Sequence, residues 1–339
     1  MAKPFLFTLN TQDQLDLFEA AATATGLPHF VLEKDYYVNL TLKLLFERLK
    51  PYHTERTSTP FMFKGGTTLS KVYGCIDRMS EDIDLSLDMN FLGYPEPANH
   101  EGTTATSKRV ALLNEATQAA VSDVIAPFLR DELLEINSSF GVSVLKNGMD
   151  IEVQYPQIFE APGGGYINPR VLLECGGKAG LEPSARHEIQ PMVLDNVADH
   201  GDSCLVDVLG CDRTFFEKLT ALHEINHRGV EKLDERQSRH IYDVISIHDK
   251  FPGFIEDREL LAKVVRHKKK YFRRGAAQWD KATPGSLRLM PEGELARFLE
   301  DDWEKMDVMF PGSLPWSFGE MLEKLATIDE RINNLNAEE

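Results

Sequence analysis

Apolar and polar positions alternate along this chain with two periods, and the period changes mark its elements. Residues 11–24 set Leu15, Leu17, Phe18 and Ala22 among polar neighbours, and residues 30–50 repeat the pattern more strongly with Val38, Leu42 and Leu45. Both stretches read as helices. Phe61, Met62 and Phe63 form a short apolar run suited to a buried strand. Leu69, Val72, Tyr73 and Ile76 return to helical spacing. Ile83, Leu85 and Leu87 then alternate with Asp82, Asp84, Ser86 and Asp88, a strand with one apolar and one acidic face. The Pro- and Gly-rich stretch after Asp88 reads as an exposed loop. Residues 107–135 read as a helix that Pro127 ends or kinks, and 141–145, 150–155 and 169–175 as added strands. From about Asp195 the pattern turns helical. Phe215, Leu219, Leu222 and Ile225 form one stripe there, and residues 292–335 close the chain with Phe298, Leu299, Trp303, Met321 and Leu325 inward. This pattern predicts an α+β protein: a mixed-sheet lobe with N-terminal helices over residues 1–195, then a mainly helical lobe over 196–339.

The unit from Phe61 to Asp88 carries the candidate chemistry. Gly65 and Gly66 stop its first strand with a turn that lets backbone approach a ligand, and Thr67 or Thr68 can cap the helix after it. Asp82 and Asp84, one strand-step apart, repel each other when both are ionised, and a divalent cation removes that repulsion. Mg²⁺ takes a few carboxylates together with phosphate oxygens, and a helix start favours phosphate. An isolated DxD is more simply an edge strand with its polar face in water. Here the pair follows a Gly-Gly turn within one strand–helix–strand unit. The Walker pattern G-x-x-x-x-G-K-[ST] is absent.

KGGTTLSK followed by MSEDIDLSL resembles the nucleotidyltransferase superfamily that includes DNA polymerase β. Within it, the chain is similar to the AbiEii/AbiGii abortive-infection toxins of type IV toxin–antitoxin systems. The resemblance continues in order through DIEVQYP, RVLLECGGKAGLEP, RTFFEKLTALHEINHRG and RQSRHIYDVISI. It implies a polymerase β-like lobe that moves NMP from an NTP to an acceptor and releases pyrophosphate. It implies Mg²⁺ or Mn²⁺ held by Asp82, Asp84 and a third carboxylate. Glu174, at the end of RVLLEC, is preferred for that role over Glu152 in DIEVQY. Lys64, Gly65, Gly66 and Thr67 would cradle phosphates, and Ser80 would bind phosphate or become modified itself. Lys218 would face the triphosphate, and Asp243 would position Lys218 or the acceptor. The implied biology is a toxin opposed by a separately encoded antitoxin, with the tRNA 3′ end as acceptor and translation blocked. Nucleotidylation of a protein and a non-catalytic nucleotide-binding module are the alternatives.

Plainer readings stand beside these. Lys218 borders an apolar stripe, where a lysine can snorkel to water. Arg239 and His240 either hold a helix or touch nucleotide. Glu33, Lys34 and Asp35 brace a helix through ion pairs. Cys204, Cys211, His223 and His227 lack the spacing of a zinc knuckle, and the two histidines more simply border a helix. RHKKKYFRRG, at 266–275, is the densest basic run. It would suit RNA phosphates and bases, or would be a solvated helix face with two core aromatics. A net charge of −17 argues against a general nucleic-acid coat but leaves room for one local basic patch. No segment approaches the ~20 apolar residues of a membrane span, and no long apolar leader opens the chain. Four scattered cysteines suit free thiols in a reducing cytoplasm.

Overall fold

The computed structural model describes residues 3–80, 82–97, 101–160, 169–231, 233–310 and 312–335. The chain forms two compact units, Met1–Val72 with Ser80–Leu209, and Tyr73–Met79 with Gly210–Glu339.

The first unit is built on a seven-stranded mixed sheet. Its strands are β1 (Phe61–Lys64), β2 (Ile83–Leu87), β3 (Gly141–Val144), β4 (Asp150–Gln154), β5 (Arg170–Gly176), β6 (Ser184–Ile189) and β7 (Cys204–Leu209). They lie in the order β3-β4-β5-β2-β1-β7-β6. β2 runs parallel to β5 and β1 parallel to β7, and the other pairs are antiparallel. Register gathers Ile151, Leu173, Ile83, Leu85, Phe63 and Val208 on one face, and each is fully buried. The polar residues between them fall on the opposite face, because successive side chains alternate. That second face is closed at Met62 and Ser86, both buried, and opens one step along at Lys64 and Asp84.

Helices α1 (Thr11–Thr25), α2 (His29–Lys43), α3 (Gly66–Lys71), α4 (Thr103–Ala120) and α5 (Ala126–Ile136) complete this unit. Asn10 caps α1 by accepting the Asp13 amide, and Gly26 ends it with φ at 72°. Helical backbone runs on from α4 into α5 through a wider turn at Val121–Ile125. The break falls just before Pro127, where a proline costs the helix a donor. Glu33 and Asp35 brace α2 against its surroundings. Glu33 accepts the amides of Ile158 and Phe159 at 2.6 and 3.2 Å. Asp35 pairs with Lys71 at 2.7 Å and accepts the Met192 amide.

Three elements differ from the pattern reading. The helix after Gly66 stops at Lys71, so Val72, Tyr73 and Ile76 are not helical, and Gly74 follows with φ at 54°. Neither Thr67 nor Thr68 caps it, since Gly65 holds that place and both threonines lie within the first turn. The segment after residue 195 is not helical at once, because β7 intervenes. Five of its six residues are buried, which erases alternation, and its partner β6 is so polar that only Ile189 is buried.

The second unit contains α6 (Cys211–Arg228), α7 (Arg239–Lys250), α8 (Arg258–Tyr271), α9 (Gly293–Lys305) and α10 (Phe318–Asn334). The α6 stripe of Phe215, Leu219, Leu222 and Ile225 is buried, as are Leu299, Trp303, Met321 and Leu325, while Phe298 is half-buried. Buried Asp302 sets where α7 starts. It accepts the Ser238 amide at 2.8 Å and the Ser238 hydroxyl at 2.6 Å, placing negative charge at a helix N-terminus. No helix among the described residues is long and apolar enough to cross a membrane.

Candidate active site

Each unit carries one cluster of candidate residues. In the sheet unit, β1 ends at Lys64 and the chain turns at Gly65, whose φ of 80° is one that side chains rarely adopt. The turn lies directly against Asp84. A Cβ built on Gly65 would stand 1.8 Å from Asp84 Oδ2. Lys64 is Asp84's register partner, and its Nζ lies 4.0 Å from Asp84 Oδ1. On the other side of β2, Asp84 is in register with Glu174 of β5, and Glu174 with Asp150 of β4. The three acidic positions therefore form a row on one face, at about 4.8 Å per strand.

Asp82 directly precedes β2. Its carbonyl accepts the Thr67 hydroxyl at 2.5 Å, and that hydroxyl lies 3.1 Å from Ser80 Oγ. Thr67 is buried, so this hydroxyl fixes the backbone that presents Ser80 and Asp82. Thr68 donates to the Gly65 carbonyl at 2.8 Å and steadies the turn. Glu152 lies one strand beyond Glu174 and pairs with Arg170 at 2.9 Å.

Hard carboxylate oxygens suit Mg²⁺ or Mn²⁺, which needs only one or two carboxylates when phosphate oxygens supply the rest. Among the described residues, no three His, Cys, Asp or Glu side chains form a ready-made metal cage. Asp84 and Glu174, in register on neighbouring strands, are the carboxylates on this face that could ligate such an ion.

The second cluster is in the helical unit. Asp243 of α7 is fully buried and lies between two cations. Arg78 donates to it from Nε and Nη2, both at 2.8 Å, and Lys218 Nζ of α6 is 2.6 Å from Oδ2. Burial alone would raise the Asp243 carboxyl, but Arg78 and Lys218 outweigh it and hold it well below the usual carboxylate range. Burial pushes the Lys218 ammonium below the ordinary lysine value, against the pull of Asp243. Lys218 is thus not a snorkelling lysine with its charge in water. Two cations on one carboxylate leave one positive charge in excess. His240 is kept neutral by burial and then by the charge of Lys218.

Arg78 is the member that motif reading misses. Its only sequence signal is a basic residue four positions before Asp82, just after a stretch that reads as helix. The structure instead pins Tyr73–Met79 as an irregular segment of the helical unit. The Asp77 amide donates to the Tyr242 hydroxyl at 3.0 Å, the Met79 amide to the Met309 carbonyl at 2.6 Å, and Lys250 Nζ to the Gly74 carbonyl at 3.0 Å.

Both ring nitrogens of His223 are engaged by backbone groups. Its Nδ1 accepts the Arg288 amide at 3.1 Å and its Nε2 lies 3.3 Å from the Gln278 carbonyl, which assigns the Nε2–H tautomer. Burial lowers its pKa to about 4. The basic run ends α8, where positive charge complements the helix dipole. Lys269 pairs with Asp280 and Arg274 with Glu224, and Tyr271 is buried.

The family described as the nucleotidyl transferase AbiEii toxin of type IV toxin–antitoxin systems matches residues 53–324. The chain belongs to the AbiEii family. Both clusters lie inside the matched span, whereas α1 and α2 precede it. No curated protein matches the chain. AbiEii membership places the chain among nucleotidyl transferase toxins and implies an antitoxin partner.

Proposed function

We propose that this AbiEii toxin transfers NMP from an NTP to the 3′ end of tRNA, releasing pyrophosphate and blocking translation. The observation that carries the transferase reading is the seat of Asp84, enclosed by a glycine turn that tolerates no Cβ and aligned with Glu174. The backbone amides of Gly65 and Gly66, with Lys64, bind the triphosphate. Thr67 holds Ser80 and Asp82 in place, and the Ser80 hydroxyl adds a phosphate contact. Asp82 and Asp84, with Glu174 beside them, would hold a divalent cation that neutralises phosphate charge and acidifies the acceptor hydroxyl. Asp243 and Arg78 orient the Lys218 ammonium, which stabilises negative charge on the triphosphate or leaving pyrophosphate. The basic end of α8 supplies RNA phosphate contacts, and the antitoxin restrains the activity.

The test is incubation of purified protein with each radiolabelled NTP, total RNA and lysate, beside the Asp84→Ala variant. Label in small RNA with release of pyrophosphate, lost in the variant, supports the reading. Label in protein in preference to RNA makes the acceptor a protein. NTP binding without pyrophosphate release makes the chain a binding module.

A further inference from the structure

Cys75 and Cys211 are a pair of nucleophilic side chains with no place in the transfer reaction. Both belong to the helical unit, and their sulfurs lie 3.7 Å apart. Cys75 is half-buried in the segment Tyr73–Met79, and Cys211 is buried as the first residue of α6. We infer that Cys75 and Cys211 form a reversible intramolecular disulfide when the protein meets a small disulfide oxidant, with Cys75 attacking and Cys211 resolving.

Geometry is the first support. The sulfurs lie in van der Waals contact at 3.7 Å, and a disulfide at ~2.05 Å needs them to close by about 1.7 Å. Selectivity is the second. Cys175 and Cys204 are buried, and burial pushes both thiols up, that of Cys204 to about 12, so neither offers much thiolate. Cys75 alone is shifted down, first by the hydrogen bond from Cys211 and then by the Lys250 ammonium, against its partial burial. Lys250 is held there by its bond to the Gly74 carbonyl.

The exchange balances without other reagents. The Cys75 thiolate attacks one sulfur of the external disulfide, whose S–S bond breaks and releases one thiolate. A mixed disulfide remains on Cys75. The Cys211 proton is retained first through its bond to the Cys75 sulfur, and burial adds to that hold. Capping Cys75 removes the first of these. Cys211 then gives its proton to solvent and attacks the Cys75 sulfur, and the second external thiolate leaves. Two protein thiols have become one disulfide, and the oxidant has become two thiols.

The new bond would tie Tyr73–Met79 to the first turn of α6. Arg78, three residues from Cys75, would then be held on the segment that carries it to Asp243.

The test uses the full chain, treated with oxidised glutathione, quenched by alkylation and read by intact mass and peptide mapping. Free thiols should fall from four to two, with the Cys75 and Cys211 peptides cross-linked and dithiothreitol restoring all four thiols. Cys211→Ser should accumulate the glutathione adduct on Cys75, and Cys75→Ser should form neither adduct nor cross-link. Four free thiols after treatment would overturn the inference. So would a lasting adduct on Cys75 of the unaltered protein, or a bridge using Cys175 or Cys204. These readouts count thiols and do not depend on nucleotidyl transfer.

Discussion

Gly65 and Asp84 occupy a space that only glycine leaves open. The backbone of Gly65 turns with φ at 80°, and the Asp84 carboxylate fills the volume where its Cβ would be. Backbone strain and direct overlap therefore oppose any side chain at the same position.

Gly65→Ala should lose most nucleotidyl transfer, because the methyl group displaces Asp84, and should cost on the order of 1–3 kcal/mol in stability. Gly66→Ala should be milder, since Gly66 already lies in the first turn of α3. Transfer rate and denaturant midpoint, measured on both variants, check this. Equal activity in both would show that the close seat of Asp84 is incidental.

Asp82→Ala and Asp84→Ala should abolish transfer while leaving the fold intact. Glu174→Ala should follow them, given its register with Asp84, and Glu152→Ala should not, given its pairing with Arg170. Transfer and thermal stability should be read together. Full activity in either aspartate variant removes the cation assignment, and reversed behaviour of the two glutamates moves the third carboxylate to β4.

Asp243→Ala strands Arg78 and Lys218 without the carboxylate they share. Breaking a buried pair in this way costs about 3–5 kcal/mol, so this variant should be strongly destabilised in urea. Lys218→Ala should lose transfer more severely than Lys218→Arg, which keeps the charge and changes its shape. Growth arrest on expression should follow the same order. Parental transfer rates in both Lys218 variants would confine the lysine to a structural role.

Stability should depend on pH through Glu33. Burial raises its carboxyl to about 7 from the ordinary 4.5, even though the Ile158 and Phe159 amides pull it down. The folded state therefore binds more protons than the unfolded one between these values. The contribution is full below 4.5 and is lost as pH rises through 7, roughly 3 kcal/mol in all. Urea midpoints from pH 4.5 to 7 should fall in the parent and flatten in Glu33→Gln. Parallel curves would assign the dependence to other groups.

RNA binding should weaken steeply with salt if the end of α8 contacts phosphate. Lys269 already faces Asp280, so exposed Arg273 is the better probe. Arg273→Glu should weaken tRNA binding and reduce the salt slope by about one. NTP affinity should be unchanged. An unaltered slope in a tRNA titration would make this run a solvated helix end.

The sheet's central strands were legible because β2, β4 and β5 each bury one alternating set of side chains. β6 and β7 were not, for opposite reasons: β6 has almost no apolar face and β7 is apolar on nearly both. The Gly65–Asp84 seat could be expected in kind, since a glycine turn and DxD stood together in the sequence. The partner of Asp243 could not. Arg78 and Asp243 are 165 residues apart, and nothing in their local spacing announces a bidentate pair. Thr67 shows the same limit, because a hydroxyl beside a phosphate-type turn looks the same in sequence whether it meets ligand or backbone.

The segment Tyr73–Met79 has a consequence for dividing the protein. It belongs with the helical unit, although sheet-unit sequence lies on both sides of it. A chain begun at Gly210 would keep Asp243 and Lys218 but lack Arg78, leaving the buried carboxylate with one cation. A chain ended at Leu209 would carry Arg78 with nothing to receive it. No single cut separates the units with both intact. A split protein that regains a complete helical unit must supply these seven residues in trans.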